Sequence, residues 1–129
     1  MRRKLYPKRE VILNYWMVFG WSFIIITGAA WHFVYELSGN NKIIALIAPM
    51  NESVWEHLKM GYWPMIFYSV FEFQALKGKV NNFLPGKLAA VVILNATIVT
   101  IFCSYTYFTG HSILWVDIGS FIAGVTLGQ

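Results

Sequence analysis

The sequence predicts an all-α fold, an integral membrane bundle of about four transmembrane helices, and three observations point to it. Of 129 residues, 57% are hydrophobic and only 12% are charged, against roughly 25% charged in an ordinary soluble domain. The apolar residues fall in long unbroken runs, whereas a soluble amphipathic helix carries one apolar stripe between polar positions. The basic residues collect in segments that an even number of spans would place on one side of a bilayer.

The first span is predicted over 11–35. Arg2, Arg3, Lys4, Lys8 and Arg9 precede it as in a signal peptide. The run is too long for one, however, and bulky Trp31, His32 and Phe33 stand where small residues permit cleavage. Residues 43–50, which include Pro49, are apolar but too few to cross, so a short interfacial or re-entrant segment is expected between the first two spans. The second span, 54–73, carries Pro64, which removes the helical donor of the Met60 carbonyl and predicts a kink. The third is expected over 88–108. The fourth, over 113–128, is slightly short for the roughly 20 residues a crossing needs. Together, residues 1–129 read as a single transmembrane domain. The last residue, Gln129, falls at the predicted cytoplasmic end of the fourth span without a basic tail, so a further helix or a partner chain is expected to complete the bundle.

Five of the ten Lys and Arg residues precede the first span, and Lys77, Lys79 and Lys87 lie between the second and third. Both segments are therefore expected to be cytoplasmic, with the loops near 38–51 and 109–112 facing outward. The expected location is the plasma (inner) membrane, multi-pass, with the N-terminus cytoplasmic. A net charge of +4 placed near span ends suits anionic membrane lipids and gives no nucleic-acid footprint. Trp16, Trp31, Trp55 and Trp115 stand near span ends, as interfacial anchors do. The single cysteine, Cys103, is expected to be a small buried hydrophobe. Ser120, Gly124 and Gly128 repeat at intervals of four, a stripe suited either to packing within the chain or to a homo-oligomer.

Chemistry concentrates in Pro49-Met50-Asn51-Glu52-Ser53-Val54-Trp55-Glu56-His57-Leu58-Lys59. Ser53 and Glu56 have the spacing of a helix-capping box, and Glu56 with Lys59 suits an ion pair. In a helical start, Glu52 and Glu56 would stack on one face, where they repel unless a cation or proton lies between them. Depth along the spans places His32 and Glu36 at the level of Glu52, Glu56 and His57, with His111 in the other outward loop and Asp117 about one turn into the fourth span. Ionisable groups at membrane depth are costly and mark functional candidates. Glu52, Glu56, His57, His32, His111 and Asp117 are therefore the candidate metal ligands, because imidazole with carboxylate binds divalent zinc, iron or manganese. Glu72 is expected to be neutralised by Lys77 and Lys79. Asn95, Thr97, Thr100 and Ser104 are expected to form hydrogen bonds between helices.

The Pro-x-Asn-Glu-Ser-x-Trp-Glu-His-x-Lys string, with Tyr107, Gly110 and Asp117 further on, resembles the signature of an uncharacterised family of small bacterial multi-pass membrane proteins. That resemblance implies a fold and a location, and no activity. Ser53-x-x-x-His57 resembles an element of the ceramidase and adiponectin-receptor hydrolases, although the paired histidines of their zinc site are absent. Three functional readings follow. The first is a membrane protein whose polar cluster is a structural salt-bridge and capping network. The second is an intramembrane metal-dependent hydrolase acting on a lipid-type substrate. The third is a small cation or proton transporter or channel.

Overall fold

The computed structural model describes residues 6–51 and 53–129, so Arg2, Arg3, Lys4 and Glu52 lie outside the described residues. The described chain is all-α. Helix α1 spans Tyr6–Leu37, α2 Val54–Leu76, α3 Phe83–Thr109 and α4 Leu114–Gly128, with a one-turn 3-10 helix, Ile44–Leu46, between α1 and α2. Short turns join α2 to α3 and α3 to α4, so successive helices run antiparallel, and α4 returns to touch α1 and close the ring.

The helix ends follow local chemistry. Ser53 takes the extended conformation and its hydroxyl accepts from the Glu56 amide at 3.4 Å, the N-cap expected from the sequence. The reciprocal half of the box does not form: the Glu56 carboxylate accepts from the Met50 amide at 3.0 Å, and the Ser53 amide donates to Asn51 at 2.9 Å. Gly110 ends α3 at φ +73°, where a side chain would be strained, and its amide closes on the Thr106 carbonyl.

In α1, Lys8–Leu37, and in α3, Phe83–Thr109, are long and apolar enough to cross a membrane. α2 has comparable length but carries Glu56, Lys59 and Glu72. α4 is apolar and 15 residues long, about 22 Å at 1.5 Å per residue.

The core, Ile24, Met65, Tyr68, Ala90, Val91, Leu94, Ile98, Phe121 and Val125, draws on every helix. Glycines set how close the helices come. A methyl group on Gly124 would stand 2.9 Å from the Leu94 carbonyl oxygen, and one on Gly128 2.7 Å from that of Ala90. The spaced stripe on α4 is therefore spent against α3 of the same chain, with Ser120 buried beside it. On α1, Gly28 lies so near α2 that a methyl there would stand 2.6 Å from the Met60 carbonyl oxygen. Pro64 is the residue that deprives this carbonyl of its helical donor, so the bare carbonyl of α2 faces the bare backbone of α1. α2 runs as one helix through Pro64.

Three expectations change. Thr97 and Ser104 bond the Ile93 and Thr100 carbonyls of their own helix and not a neighbouring one. Cys103 is exposed on α3 and not buried. Lys87 is the partner of Glu72, at 2.6 Å, whereas Lys77 and Lys79 are exposed and Lys79 bonds the Ala75 carbonyl. Lys87 also donates to Gln129 at 3.2 Å and stands over the Tyr68 ring. Tyr68 in turn donates to the Trp16 carbonyl at 2.5 Å. One end of the bundle is thus tied through all four helices by polar groups, because each of these long side chains reaches a neighbour before it reaches the surface.

Candidate functional site: a cavity between the four helices

At the other end the helices part around a cavity of about 440 Å³. Its wall is largely apolar: Ile25 and Phe33 come from α1, Met60 from α2, Ile98 and Phe102 from α3, and Leu114 and Phe121 from α4. Among the described residues, three ionisable side chains share that wall, His32 of α1, His57 of α2 and Asp117 of α4. They stand 25 and 60 residues apart in the chain, and antiparallel packing is what brings them to one level.

The two imidazoles face each other with centroids 6.0 Å apart and planes inclined by 31°. His57 Nδ1 lies 3.0 Å from the Ser53 carbonyl oxygen, one turn back along α2. A carbonyl only accepts, so Nδ1 is the protonated nitrogen and Nε2 the basic one in the neutral ring. Asp117 takes its place in the first turn of α4, where a carboxylate suits the positive helix end. The Tyr105 hydroxyl, from the last turns of α3, donates a short hydrogen bond to Asp117 Oδ1 and accepts from the Ile113 amide at 3.1 Å. Tyr105 therefore fixes both the carboxylate and the start of α4.

Glu56 and Lys59 serve the loop over 38–53 instead of the cavity. Lys59 binds Glu56 at 2.8 Å and donates to the Ala45 carbonyl at 2.8 Å, while Glu56 holds the Met50 amide. Trp31 donates to the Ile47 carbonyl at 2.8 Å. Three side chains thus clamp the loop to α1 and α2, burying Ala48 and Pro49. The capping and ion-pair reading of Glu56 and Lys59 describes this arrangement.

Of the remaining sequence candidates, His111 is exposed in the α3–α4 turn, bound through Nδ1 to the Thr109 carbonyl at 2.8 Å, and Glu36 is exposed. Glu52 lies outside the described residues. No group of three or more His, Cys, Asp or Glu placed to hold a metal ion occurs among the described residues. Sequence reasoning missed Tyr105 as the partner of Asp117. The signal was available: the two flank the α3–α4 turn almost symmetrically, as paired residues of an antiparallel hairpin do.

These features define a small all-α bundle around an apolar cavity, with His32, His57 and Asp117 among the described residues of its wall. The chain belongs to DUF6512, a family of unknown function, whose model matches residues 5–129. No curated protein and no solved structure matches it.

Proposed function

We propose that this is a multi-pass protein of the plasma membrane, with its N-terminus cytoplasmic, that binds a small lipid-type molecule between its helices. The cavity carries the reading. Its volume falls within the range of about 300–1,000 Å³ typical of small-molecule pockets, and apolar walls with a few convergent polar groups are what such pockets have.

The surface supports the membrane setting. Large apolar side chains stand exposed on every helix, among them Val18, Phe71, Val92 and Leu127, far more than a soluble monomer tolerates. At the cavity end, Trp55, Tyr107, Phe108 and Trp115 project outward, Trp115 being 79% exposed, as an aromatic girdle at headgroup level would. Close backbone approach at Gly28, Gly124 and Gly128 is the packing that membrane helices use in place of a hydrophobic driving force.

Orientation is tested in a Cys103→Ser background carrying either Lys79→Cys or Ser112→Cys. A membrane-impermeant maleimide applied to intact cells is expected to label position 112 and to leave position 79 unlabelled until the cells are broken. Equal labelling of both positions in intact cells would overturn the arrangement.

Binding is tested by titrating octanol into the detergent-solubilised protein and following methionine methyl resonances. The Met60 signal, from the cavity wall, is expected to shift saturably, while that of fully buried Met65, outside the cavity, holds still. A Met60 signal that does not respond, or that drifts linearly along with Met65, would remove the binding reading.

A further inference from the structure

The exposure of the cavity's lining marks the side on which it opens. Among the described wall residues, Ala29 and Phe33 of α1 and Leu114, Ile118 and Ile122 of α4 are exposed, whereas none of those from α2 or α3 is. The mouth therefore lies between α1 and α4. These two helices meet less closely than α1 meets α2 or α3 meets α4. Toward the end opposite the cavity, the Trp21 indole of α1 donates to Thr126 of α4 at 2.9 Å. Further along, a methyl added to Gly28 would stand 2.5 Å from the Phe121 ring. At the cavity end, Ala29 and Phe33 border the opening on one side and Leu114 and Ile118 on the other.

The lips of this mouth are apolar, so an entrance facing water would leave them unfavourably hydrated, whereas hydrocarbon suits them. On α4 the lining runs from Leu114 to Ile122, about 12 Å of helix at 1.5 Å per residue. Half of a bilayer's hydrocarbon core is about 15 Å deep. The mouth thus matches the depth of one leaflet, at the end where Tyr107, Phe108 and Trp115 project outward.

Size selects the occupant. A methylene group fills roughly the 30 Å³ that a water molecule takes in the liquid, so about 440 Å³ has room for about 15 such groups. That is the scale of one acyl chain and too little for both chains of a phospholipid. A helix, about 10–12 Å across with its side chains, would fill the same volume within about one turn.

Resting on the binding reading above, we infer that the cavity takes one acyl chain of an outer-leaflet lipid, which enters sideways between α1 and α4. The chain lies against Ile98, Phe102 and Phe121, and a second chain of the same lipid stays in the bilayer outside the mouth. His57 and Asp117, near the starts of α2 and α4, and His32, near the end of α1, stand at the level of the lipid's polar head.

The test uses the full chain in phosphatidylcholine nanodiscs doped with a phosphatidylcholine that carries a photoactivatable diazirine within one acyl chain, and maps the adducts by mass spectrometry. Val92, exposed on α3, reports lipid around the bundle. Ile98, 3% exposed, and Phe102 report lipid inside the cavity. Adducts are expected at Ile98 or Phe102 as well as at Val92, with Met65, fully buried and outside the cavity, giving the background. In a Cys103→Ser background, Ala29→Cys and Ile118→Cys joined by a bis-maleimide tether across the mouth are expected to bring the cavity adducts down to that background while Val92 stays labelled. The same tether between Trp21→Cys and Thr126→Cys, which joins the same helices away from the mouth, is expected to leave the cavity adducts in place.

Adducts at Val92 with none at Ile98 or Phe102 in the unmodified protein would mean that the mouth is shut or covered by another chain, and would overturn the inference. A saturable octanol shift at Met60 would then still uphold the binding reading, whereas loss of both signals removes both. Cavity adducts that survive the mouth tether, or that vanish equally with either tether, would overturn the lateral route. Should the mouth pair fail to fold, Ala29→Trp, which narrows the mouth from an exposed position, is expected to give the same selective loss, and unchanged cavity adducts in it would overturn the route.

Discussion

Exchanging Lys87 for methionine is expected to destabilise the protein by about 3–5 kcal/mol, the usual cost of leaving one member of a buried ion pair without its partner. The Glu72 carboxylate retains 5% side-chain exposure and Lys87 15%, and their 2.6 Å contact joins α2 to α3. Without Lys87 the carboxylate stays in the bundle with no counter-charge, and Gln129 and the Tyr68 ring lose the group that stands between them. Unfolding in mixed dodecyl sulfate and maltoside micelles measures the loss. Adding Glu72→Gln to Lys87→Met is expected to restore at least half of it, because the stranded charge is gone. Lys77→Met, at an exposed position, is expected to stay within about 0.5 kcal/mol of the unmodified protein. A Lys77 variant as damaging as the Lys87 variant would show that the pairing has been assigned to the wrong lysine.

Two alanine substitutions on α4 are expected to move stability in opposite directions. Gly124→Ala places a methyl 2.9 Å from the Leu94 carbonyl oxygen, inside the closest distance that carbon and a backbone oxygen keep. A rigid helix backbone cannot turn aside as a side chain does, so α3 and α4 must separate, at a cost of about 1–3 kcal/mol. Gly119→Ala meets nothing within 4 Å. There alanine contributes its better helix propensity alone, a gain of about 0.5–1 kcal/mol. The same micellar unfolding measurement compares them, with the family of helix-to-helix contacts otherwise unchanged. If both variants gained stability, the close approach of α3 and α4 at Gly124 would be wrong.

Much of the fold was legible because it depends on composition and local chemistry. Long apolar runs marked the four helices, which extend a few residues beyond the 11–35, 54–73, 88–108 and 113–128 segments at most ends. Ser53 marked the start of α2, and the short apolar stretch before it forms a single 3-10 turn. The level of His32, His57 and Asp117 was also legible, since antiparallel helices joined by turns carry residues equidistant from a turn to the same height.

Direction around each helix axis was not legible. Level alone put Glu56 beside His57, yet neighbouring residues on a helix point about 100° apart. His57 turns to the cavity, and Glu56 turns to the loop over 38–53, where unsatisfied backbone groups at Met50 and Ala45 draw it and Lys59 away. The pairing of Glu72 had the same uncertainty. Lys77 and Lys79 are nearer in sequence, but they lie beyond the end of α2, whereas Lys87 stands on α3 almost as far past the turn as Glu72 stands before it.

By itself, then, the sequence determined that the chain forms four apolar helices, where α2 begins, and which polar residues share a level. Those properties are set by residues within a few positions of one another. Only the tertiary structure decided that Tyr105 holds Asp117, that Lys87 takes Glu72, that Gly124 and Gly128 are consumed by α3, and that a cavity opens between His32, His57 and Asp117. Each of these depends on the rotation of one helix against another, which is fixed by the sum of many weak packing contacts and by no single residue's preference.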